Sequence, residues 1–287
     1  MPGELSFADT SQTMKVGGLP LHYHEAGEGQ PLILLHGAGP GVSAWSNFSG
    51  NFASYAKNFR TILVDMPGFG RSGHPDEYDK SYLQYAADAV IELMDELGIE
   101  KAHLLGNSLG ASVAVRFVLA YPERTNRLVL MGPGSALSIG LFAPRPSEGI
   151  RRLMEFATAK EKTPEKIEAF LRSMVFDQTL ITPELIADRF AAAIDPATAG
   201  GLKAMQVANQ KFPVEGELWR EAGEIKHDVL ITWGREDRVQ PLDGAFVGFR
   251  LLENARLHVF PKCGHWAMIE QREEFERLTQ DFFFAAG

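Results

Sequence analysis

A serine between two glycines is the residue whose type and setting most clearly predict chemistry in this sequence. Residues 106–110 read Gly-Asn-Ser-Leu-Gly, which fits the pattern G-x-S-x-G with Ser108 at its centre. The pattern follows an apolar run at 103–105 and precedes a helical pattern, as expected for a strand that turns sharply into a helix. Such a turn exposes the central side chain, and the helix N-terminus stabilises an oxyanion beside it. We therefore predict that Ser108 is a nucleophile.

A serine hydroxyl is a poor nucleophile without a general base. Three histidines follow Ser108 along the chain, namely His227, His258 and His265. His258 lies within a predicted strand, and His227 precedes one, which puts it at the opposite edge of the sheet. His265 follows the last predicted strand, at the edge where Ser108 also lies. In folds that carry a serine at such a strand-to-helix turn, the acid and then the histidine follow it along the chain. This order and the position of His265 favour it as the base.

The acid that orients such a base is predicted to be Asp237. It follows the predicted strand at 228–234 and so lies at the same edge of the sheet. Glu236 and Asp243 are nearby alternatives. Asp237 is favoured because a turn after the strand can return its side chain toward His265. There it would hold the imidazole tautomer and stabilise the imidazolium ion.

A glycine-rich loop, His-Gly-Ala-Gly-Pro-Gly at 36–41, follows the first central strand. Its position predicts an oxyanion hole formed by the backbone N–H groups of Ala38 and Leu109. A phosphate cradle is the alternative, but the loop lacks the Lys-Ser/Thr pair of a P-loop. Residues 65–70 are interpreted as a structural turn.

Alternating strands and helices must position these residues. Apolar or alternating runs predict strands at 19–27, 31–37, 60–66, 101–108, 126–134, 228–234 and 255–260. Helical periodicity predicts helices at 81–98, 109–121, near 241–252 and near 274–285. This alternation is typical of a mostly parallel sheet with helices on both faces, which is the α/β class.

Regular strand signals stop at Gly134 and resume at Asp228, and the gap is rich in helical patterns. We predict a core domain of 1–134 and 221–287, with a helical cap at 135–220. The cap would cover the carboxyl ends of the strands, where open α/β sheets bind ligands. The alternative is that the gap only continues the core domain.

Composition restricts the classes of partner. The chain has 287 residues, of which 45% are hydrophobic, and a net charge of −9. The negative charge argues against nucleic acids and anionic membranes as partners and leaves a small-molecule substrate. A single cysteine, Cys263, excludes an intrachain disulfide and a cysteine metal cluster. The N-terminal residues do not resemble a signal peptide, and no apolar run is long enough to span a membrane, so we expect a cytoplasmic protein.

Several segments together resemble those of the meta-cleavage product hydrolases, which are α/β-hydrolases that cleave carbon–carbon bonds in aromatic and steroid ring degradation. The resemblance covers nearly the whole chain and is greatest toward enzymes of biphenyl and steroid degradation. The segments that carry it are 36–48, 106–111, 132–149, 180–190, 233–245 and 262–270.

The resemblance implies an eight-stranded sheet with a helical cap inserted after the sixth strand. It also implies hydrolysis of the C5–C6 bond of a 2-hydroxy-6-oxohexa-2,4-dienoate, which gives 2-hydroxypenta-2,4-dienoate and a carboxylic acid. No metal or organic cofactor is implied, and a homodimer or larger homo-oligomer is expected. The group on C6 and the choice between an acyl-enzyme and a gem-diol route stay open.

The resemblance also assigns residues to the substrate. Gly39, Asn47, Asn107 and Trp266 match substrate-binding positions, and Arg189 matches the arginine that binds the carboxylate and 2-oxo end. A guanidinium suits this task because it is permanently charged and can engage two oxygens at once. The sequence departs from the family pattern at three positions. Ala38 and Ala111 stand where many relatives have glycine, and Met174 stands where some have an aromatic residue, which leaves the pocket shape and the substrate open.

Two other functions are compatible with the same triad. A carboxylesterase or perhydrolase of this fold would use it without needing Arg189 and the two asparagines. A binding receptor that retained the fold would keep the triad without turnover. Measured product release separates the enzyme from the receptor.

Overall fold

An eight-stranded sheet forms the centre of the computed structural model, which describes residues 5–134, 137 and 140–285. The strands are β1 (Ser11–Val16), β2 (Leu19–Ala26), β3 (Gln30–Leu35), β4 (Phe59–Val64), β5 (Ala102–Asn107), β6 (Thr125–Met131), β7 (Val229–Gly234) and β8 (Ala255–Phe260). Their spatial order is β1-β2-β4-β3-β5-β6-β7-β8. Strand β2 runs antiparallel to both neighbours, and all other pairs are parallel. The predicted fold class, a mostly parallel eight-stranded α/β sheet, is confirmed.

Helices cover both faces of this sheet. They are α1 (Phe7–Thr10), α2 (Ala44–Tyr55), α3 (Tyr82–Glu96), α4 (Leu109–Ala120), α5 (Glu148–Ala157), α6 (Pro164–Met174), α7 (Pro183–Ile194), α8 (Pro196–Lys211), α9 (Ala245–Leu251), α10 (Ala267–Glu270) and α11 (Arg272–Phe284). Helices α3, α4 and α9 contribute to one apolar core, and α2 and α11 contribute to the other. Because both faces are covered, β5 is buried along its whole length and β3 is buried from Leu32 to Leu35, and both strands are mostly apolar, as is usual for buried parallel strands.

Helix α2 is fixed at its start by a reciprocal pair of serines. The Ser43 side chain accepts a hydrogen bond from the Ser46 N–H, and the Ser46 side chain accepts one from the Ser43 N–H. Each bond satisfies a backbone donor that would otherwise lack a partner at this helix end. This capping box places Asn47 on the first turn of α2, directly beside the loop at 36–41.

Helices α5 to α8, called here the cap helices, lie between β6 and β7, where strand patterns are absent from the sequence. Helix α7 rests directly on the glycine-rich loop. A Cβ atom at Gly41 would lie 2.5 Å from the backbone oxygen of Arg189, so only glycine permits this approach. The proposed division into a core (1–134 and 221–287) and a cap (135–220) stays a prediction.

Two kinds of feature are absent from the described residues. No helix there is both long and apolar enough to cross a bilayer. The same residues contain no group of three or more His, Cys, Asp or Glu side chains arranged to hold a metal ion. The cytoplasmic location stays a prediction.

Candidate active site

Ser108 occupies the turn between β5 and α4 with a strained backbone. Its φ is 52° and its ψ is −109°, a left-handed conformation that costs a residue with a side chain about 1–3 kcal/mol. Its N–H donates to the backbone oxygen of Met131 at 2.8 Å, which anchors the turn to β6. A Cβ atom at Gly110 would lie 2.1 Å from the backbone oxygen of Leu35, so glycine is required where α4 packs against β3. The strain and the close packing together hold the Ser108 side chain at the sheet edge.

His265 and Asp237 form a buried pair. His265 Nδ1 lies 2.6 Å from Asp237 Oδ2, and both side chains are 1% exposed. The other carboxylate oxygen, Oδ1, accepts the N–H groups of Val239 and Gln240 at 2.8 Å each. With Nδ1 donating to the carboxylate, Nε2 is the basic nitrogen of the neutral ring. This arrangement provides an oriented general base.

Gly132 connects this pair to the serine. It has a φ of 49°, and a Cβ atom there would lie 3.1 Å from His265 Cε1 and 3.5 Å from Asp237 Oδ2. Gly132 directly follows Met131, whose backbone oxygen accepts the Ser108 N–H. The end of β6 therefore contacts Ser108 through one residue and His265 through the next. The sequence analysis did not single out Gly132, although a glycine directly after a strand at this edge is a usable signal.

The structure places the alternative acids and bases in other contacts. Glu236 accepts the Cys263 N–H at 3.0 Å and pairs with Arg235. Asp243 accepts backbone N–H groups from the loop at 141–143. His227 bonds to the Pro122 carbonyl, and His258 lies 3.4 Å from Glu274. The geometry therefore supports the predicted set of Ser108, Asp237 and His265.

The glycine-rich loop passes close to Ser108. A Cβ atom at Gly37 would lie 3.5 Å from the Ser108 Cβ and 2.8 Å from Asn107 Oδ1. Among the described residues, the non-glycine residues with positive φ are Ser108 and Lys262, so Ala38 has an ordinary backbone. The Leu109 N–H is in the first turn of α4, where N–H groups have no intrahelical acceptor. Both predicted oxyanion donors are thus at the expected loop and helix end.

His36 holds this loop in place. Its Nδ1 donates to the Gly37 carbonyl at 2.8 Å, and its Nε2 accepts the Met66 N–H at 3.0 Å. Burial lowers the pKa of His36, which keeps the ring neutral and preserves this donor and acceptor pair. His36 is therefore a structural residue of the oxyanion loop.

The two predicted substrate-binding asparagines contact each other. Asn47 Oδ1 accepts the Gly37 N–H at 3.1 Å, and Asn47 Nδ2 donates to Asn107 Oδ1 at 3.4 Å. The Asn107 Nδ2 is buried and has no hydrogen-bond partner among the described residues. A buried donor without an acceptor is costly, which suggests that a ligand supplies the acceptor.

Arg189 is a buried cation that has no counter-ion among the described residues. The residue is 5% exposed, and its Nη1 donates to Ser46 Oγ at 3.3 Å. Within the same residues its Nε has no hydrogen-bond partner, and no carboxylate forms an ion pair with it. Burial lowers the pKa of the Arg189 guanidinium to about 10. Its Cζ lies 6.0 Å from the centre of the Trp266 ring, a contact at the outer limit of a cation–π interaction.

An apolar wall completes the site on the cap side. A Cβ atom at Gly39 would lie 3.4 Å from the Phe170 ring and 3.6 Å from Arg189 Nη2, so Gly39 separates the two. Phe170 and Met174 of α6 are buried in the same apolar cluster as Val239. Apolar side chains next to one buried cation fit a ligand with a carboxylate at one end and an apolar remainder.

Three comparisons with known proteins identify the family to which this chain is similar. The alpha/beta hydrolase fold family matches residues 30–271. The chain is 43% identical to 2-hydroxy-6-oxo-6-phenylhexa-2,4-dienoate hydrolase of Burkholderia cepacia, over 97% of this chain and 98% of that protein. It is 42% identical to 2-hydroxy-6-oxononadienedioate/2-hydroxy-6-oxononatrienedioate hydrolase of Comamonas testosteroni, with the same coverage.

Solved structures give the same result. The structure of the meta-cleavage product hydrolase from Pseudomonas fluorescens IP01 aligns with a TM-score of 0.86 at 34% identity. The alignment covers 96% of this chain and 98% of that chain. The similarity therefore includes the sheet and the inserted helices alike.

Proposed function

Because this chain belongs to the α/β-hydrolase fold family and, within it, to the meta-cleavage product hydrolases, we propose that it hydrolyses the C5–C6 bond of a 2-hydroxy-6-oxohexa-2,4-dienoate. The products are 2-hydroxypenta-2,4-dienoate and the carboxylic acid that carries the C6 group. The relatives named above act on a substrate with a phenyl group and on one with a second carboxylate.

The buried and unpaired Arg189 is the observation that carries this proposal. A buried charge without a partner is strongly unfavourable, so a ligand anion is the expected counter-ion. The C1 carboxylate and the 2-oxygen of the dienoate offer two oxygens to one guanidinium. An esterase acting on simple esters has no use for such a cation.

Cleavage of a carbon–carbon bond requires a place for the bonding electrons. The proposed first step moves the 2-hydroxy proton to C5, which converts the dienol into a keto tautomer. Arg189 and the Asn107 amide stabilise the charge that develops at the oxygen end of the chain during this step. His265 Nε2 is the group that moves the proton.

The second step is attack on the C6 carbonyl. His265 Nε2 removes the Ser108 proton as Oγ bonds to C6, or it activates a water molecule for a gem-diol route. In either route the oxyanion on C6 accepts the N–H groups of Ala38 and Leu109. The C5–C6 bond then breaks and its electrons form the dienolate, whose C5 is already a CH2 group. The proton held by His265 ends on the 2-oxygen of the dienolate, which gives 2-hydroxypenta-2,4-dienoate. Water hydrolyses the ester with Ser108 in the acyl-enzyme route.

The cap helices contribute the pocket for the rest of the substrate. We propose that they form a lid domain over the strand ends, with Gly39 and Trp266 close to the substrate's carboxylate end. Phe170 and Met174 provide apolar surface that suits an uncharged C6 group. Water exclusion by such a lid strengthens each electrostatic contact in the site.

The decisive experiment follows the colour of the yellow 6-phenyl dienoate with wild type, Ser108→Ala and Arg189→Gln. Rapid bleaching into two acids by wild type, with both variants impaired, is the expected result. If wild type leaves phenyl, alkyl and steroid-derived dienoates unchanged but hydrolyses simple esters, the enzyme is a carboxylesterase of the same fold. Failure with both substrate classes would favour a binding protein.

We also propose a homodimer or larger homo-oligomer. The support is an apolar surface on α9, where Phe246 and Phe249 are 54% and 42% exposed on one helix face. The neighbouring strand β8 is an edge of the sheet, paired only with β7. Light scattering on wild type and Phe246→Glu measures the mass, and a monomeric wild type would contradict the proposal.

A further inference from the structure

The carboxylate of Glu270 joins the cap helices to the loop of the candidate base. Its Oε2 accepts the N–H groups of Phe176 at 2.6 Å and Asp177 at 2.9 Å, just beyond α6. Its Oε1 accepts the Gly264 N–H at 2.7 Å, one residue before His265. One carboxylate oxygen therefore binds the backbone after α6, and the other binds the loop before His265. Burial raises the pKa of Glu270, so this bridging position comes at an electrostatic cost.

Residues 172–177 also accept hydrogen bonds from His265 itself and from Arg238, the residue after Asp237. The His265 N–H donates to the Met174 carbonyl at 2.6 Å. Arg238, directly after Asp237, donates through Nη2 to the Arg172 and Val175 carbonyls, the latter at 3.0 Å. We call residues 172–177 the bridging segment.

The backbones touch where the bridging segment meets the loop before His265. A Cβ atom at Gly264 would lie 2.6 Å from the Met174 carbonyl oxygen and 2.8 Å from the Val175 Cα. A shift of the bridging segment therefore pushes directly on the residue before His265. The contact is rigid because backbone atoms, unlike flexible side chains, cannot rotate away.

The bridging segment also controls the substrate side of the site. It continues α6, which carries Phe170 against the loop at Gly39. Helix α6 packs on α7, the helix that carries Arg189. Glu270 therefore contacts both the segment that continues α6, the helix packed on the helix of Arg189, and the loop that carries His265.

From this geometry we infer that Glu270 is a positioning residue that couples the placement of the cap helices to the orientation of His265, an inference that rests on the proposed dienoate hydrolysis. Only an ionised carboxylate can accept on both sides at once. The side-chain amide of the Glu270→Gln variant offers one acceptor oxygen and one NH₂ donor. The NH₂ group would then face a backbone N–H group, either that of Gly264 or those of Phe176 and Asp177, and the hydrogen bonds on that side would be lost.

The test compares wild type, Glu270→Gln and the control Glu273→Gln, which changes an exposed residue of the neighbouring helix α11. The first readout is cleavage of the 6-phenyl dienoate, which needs Arg189 and His265. The second is hydrolysis of p-nitrophenyl acetate, which needs His265 but has no carboxylate for Arg189. The third is amide hydrogen exchange at Phe176 and Asp177. All are measured well below the melting temperature.

Coupling predicts that Glu270→Gln loses dienoate kcat/KM about tenfold more than ester hydrolysis, the effect of one lost hydrogen bond to a charged group. It also predicts faster exchange at Phe176 and Asp177, with Glu273→Gln like wild type. Equal losses in both reactions, or no loss per folded molecule, would overturn the inference. If Glu270→Gln does not fold, Glu270→Asp replaces it, because this variant keeps the negative charge on a side chain one methylene shorter. The ratio of dienoate cleavage to ester hydrolysis then tests the inference in the same way.

The two proposals fail in different ways. If wild type cleaves no dienoate, the proposed function is wrong, and amide exchange still reports whether Glu270 holds the bridging segment. If wild type cleaves the dienoate and Glu270→Gln keeps the wild-type ratio of the two reactions, only the coupling is wrong.

Discussion

The guanidinium carbon of Arg189 lies 6.0 Å from the centre of the Trp266 ring, which places a cap cation over the residue that follows His265. The cation reaches this position from α7, while Trp266 comes from the loop after β8. The site is therefore assembled from two distant parts of the chain. The contact links the residue proposed to bind the substrate's anionic end to the residue that follows the candidate base.

Arg189→Met should separate function from stability. We expect kcat/KM for the 6-phenyl dienoate to fall about 100-fold or more, because a charge-assisted contact to the carboxylate is lost. The free energy of unfolding should stay the same or rise by up to about 2 kcal/mol, since a buried unpaired charge is removed. Urea unfolding and steady-state kinetics measure the two effects. Arg151→Met, at an exposed cap position, is the control, and a large loss of stability in Arg189→Met would point to a structural role instead.

Two replacements of Ser108 should differ in stability although both abolish turnover. Glycine adopts a φ of 52° without strain, whereas alanine keeps a Cβ atom in that conformation. We expect Ser108→Gly to be more stable than Ser108→Ala by about 1–2 kcal/mol. Thermal and urea unfolding of both variants give the difference. Equal stability would mean that the turn relaxes without the serine.

Gly132→Ala should impair the base. The added methyl would lie 3.1 Å from His265 Cε1 and would also sit at a φ of 49°. We expect kcat to fall about tenfold and the free energy of unfolding to fall by about 1–2 kcal/mol. Gly98→Ala is a matched control, because its φ is 65° and no atom lies within 4 Å of the added methyl. The control should show a similar decrease in the free energy of unfolding, because of its positive φ, but an unchanged kcat.

Stability should decrease in mildly acidic solution because of three buried histidines. Burial lowers the pKa of His24 and of His103 from 6.5 to about 4, and it also lowers the pKa of His36. Below pH 6.5 the unfolded chain binds protons that the folded protein does not, so stability is full above pH 6.5 and is lost as the pH falls toward 4. His24 and His103 should each contribute about 3 kcal/mol to this loss.

Urea unfolding at several pH values measures this slope in wild type and in His103→Phe. The variant should lose part of the slope, because His103 no longer titrates while His24 and His36 still do. His258→Gln changes a histidine whose side chain is 33% exposed and serves as the control. An unchanged slope in His103→Phe would show that His103 does not contribute.

Local pattern was sufficient to predict much of the core and to select Ser108, Asp237 and His265 as candidates. The runs that form β3 and β5 are mostly apolar because both sheet faces are covered, and that requirement is visible in a single segment. The turn at Ser108 depends on two glycines beside it. His265 and Asp237 followed from the rule that parallel strands end at one edge.

Elements stabilised by their surroundings were not predicted. No pattern indicated α2, whose sequence contains serine, glycine and asparagine, all poor helix formers. Packing of Phe48, Phe52 and Tyr55 in the core stabilises it instead. No pattern indicated β1 either, because most of its side chains are exposed or half-exposed and it pairs with β2 alone.

The burial of Arg189 depends on the assembled fold rather than on its own helix. From its local sequence it would be a surface arginine, and only the resemblance to a family gave it a role. The contacts of Gly132 and Glu270 likewise join residues far apart along the chain. Such contacts leave no local pattern from which they could be read.

The unpaired charge of Arg189 has a consequence for the enzyme between turnovers. A resting site with a buried positive charge attracts any small anion that fits, so halide, acetate or phosphate in the buffer should compete with substrate. The dienoate product keeps the carboxylate that Arg189 is proposed to bind, so it should leave slowly and inhibit the reaction as it accumulates. Sustained flux then depends on prompt removal of that product, and assays run to high conversion will understate the true rate.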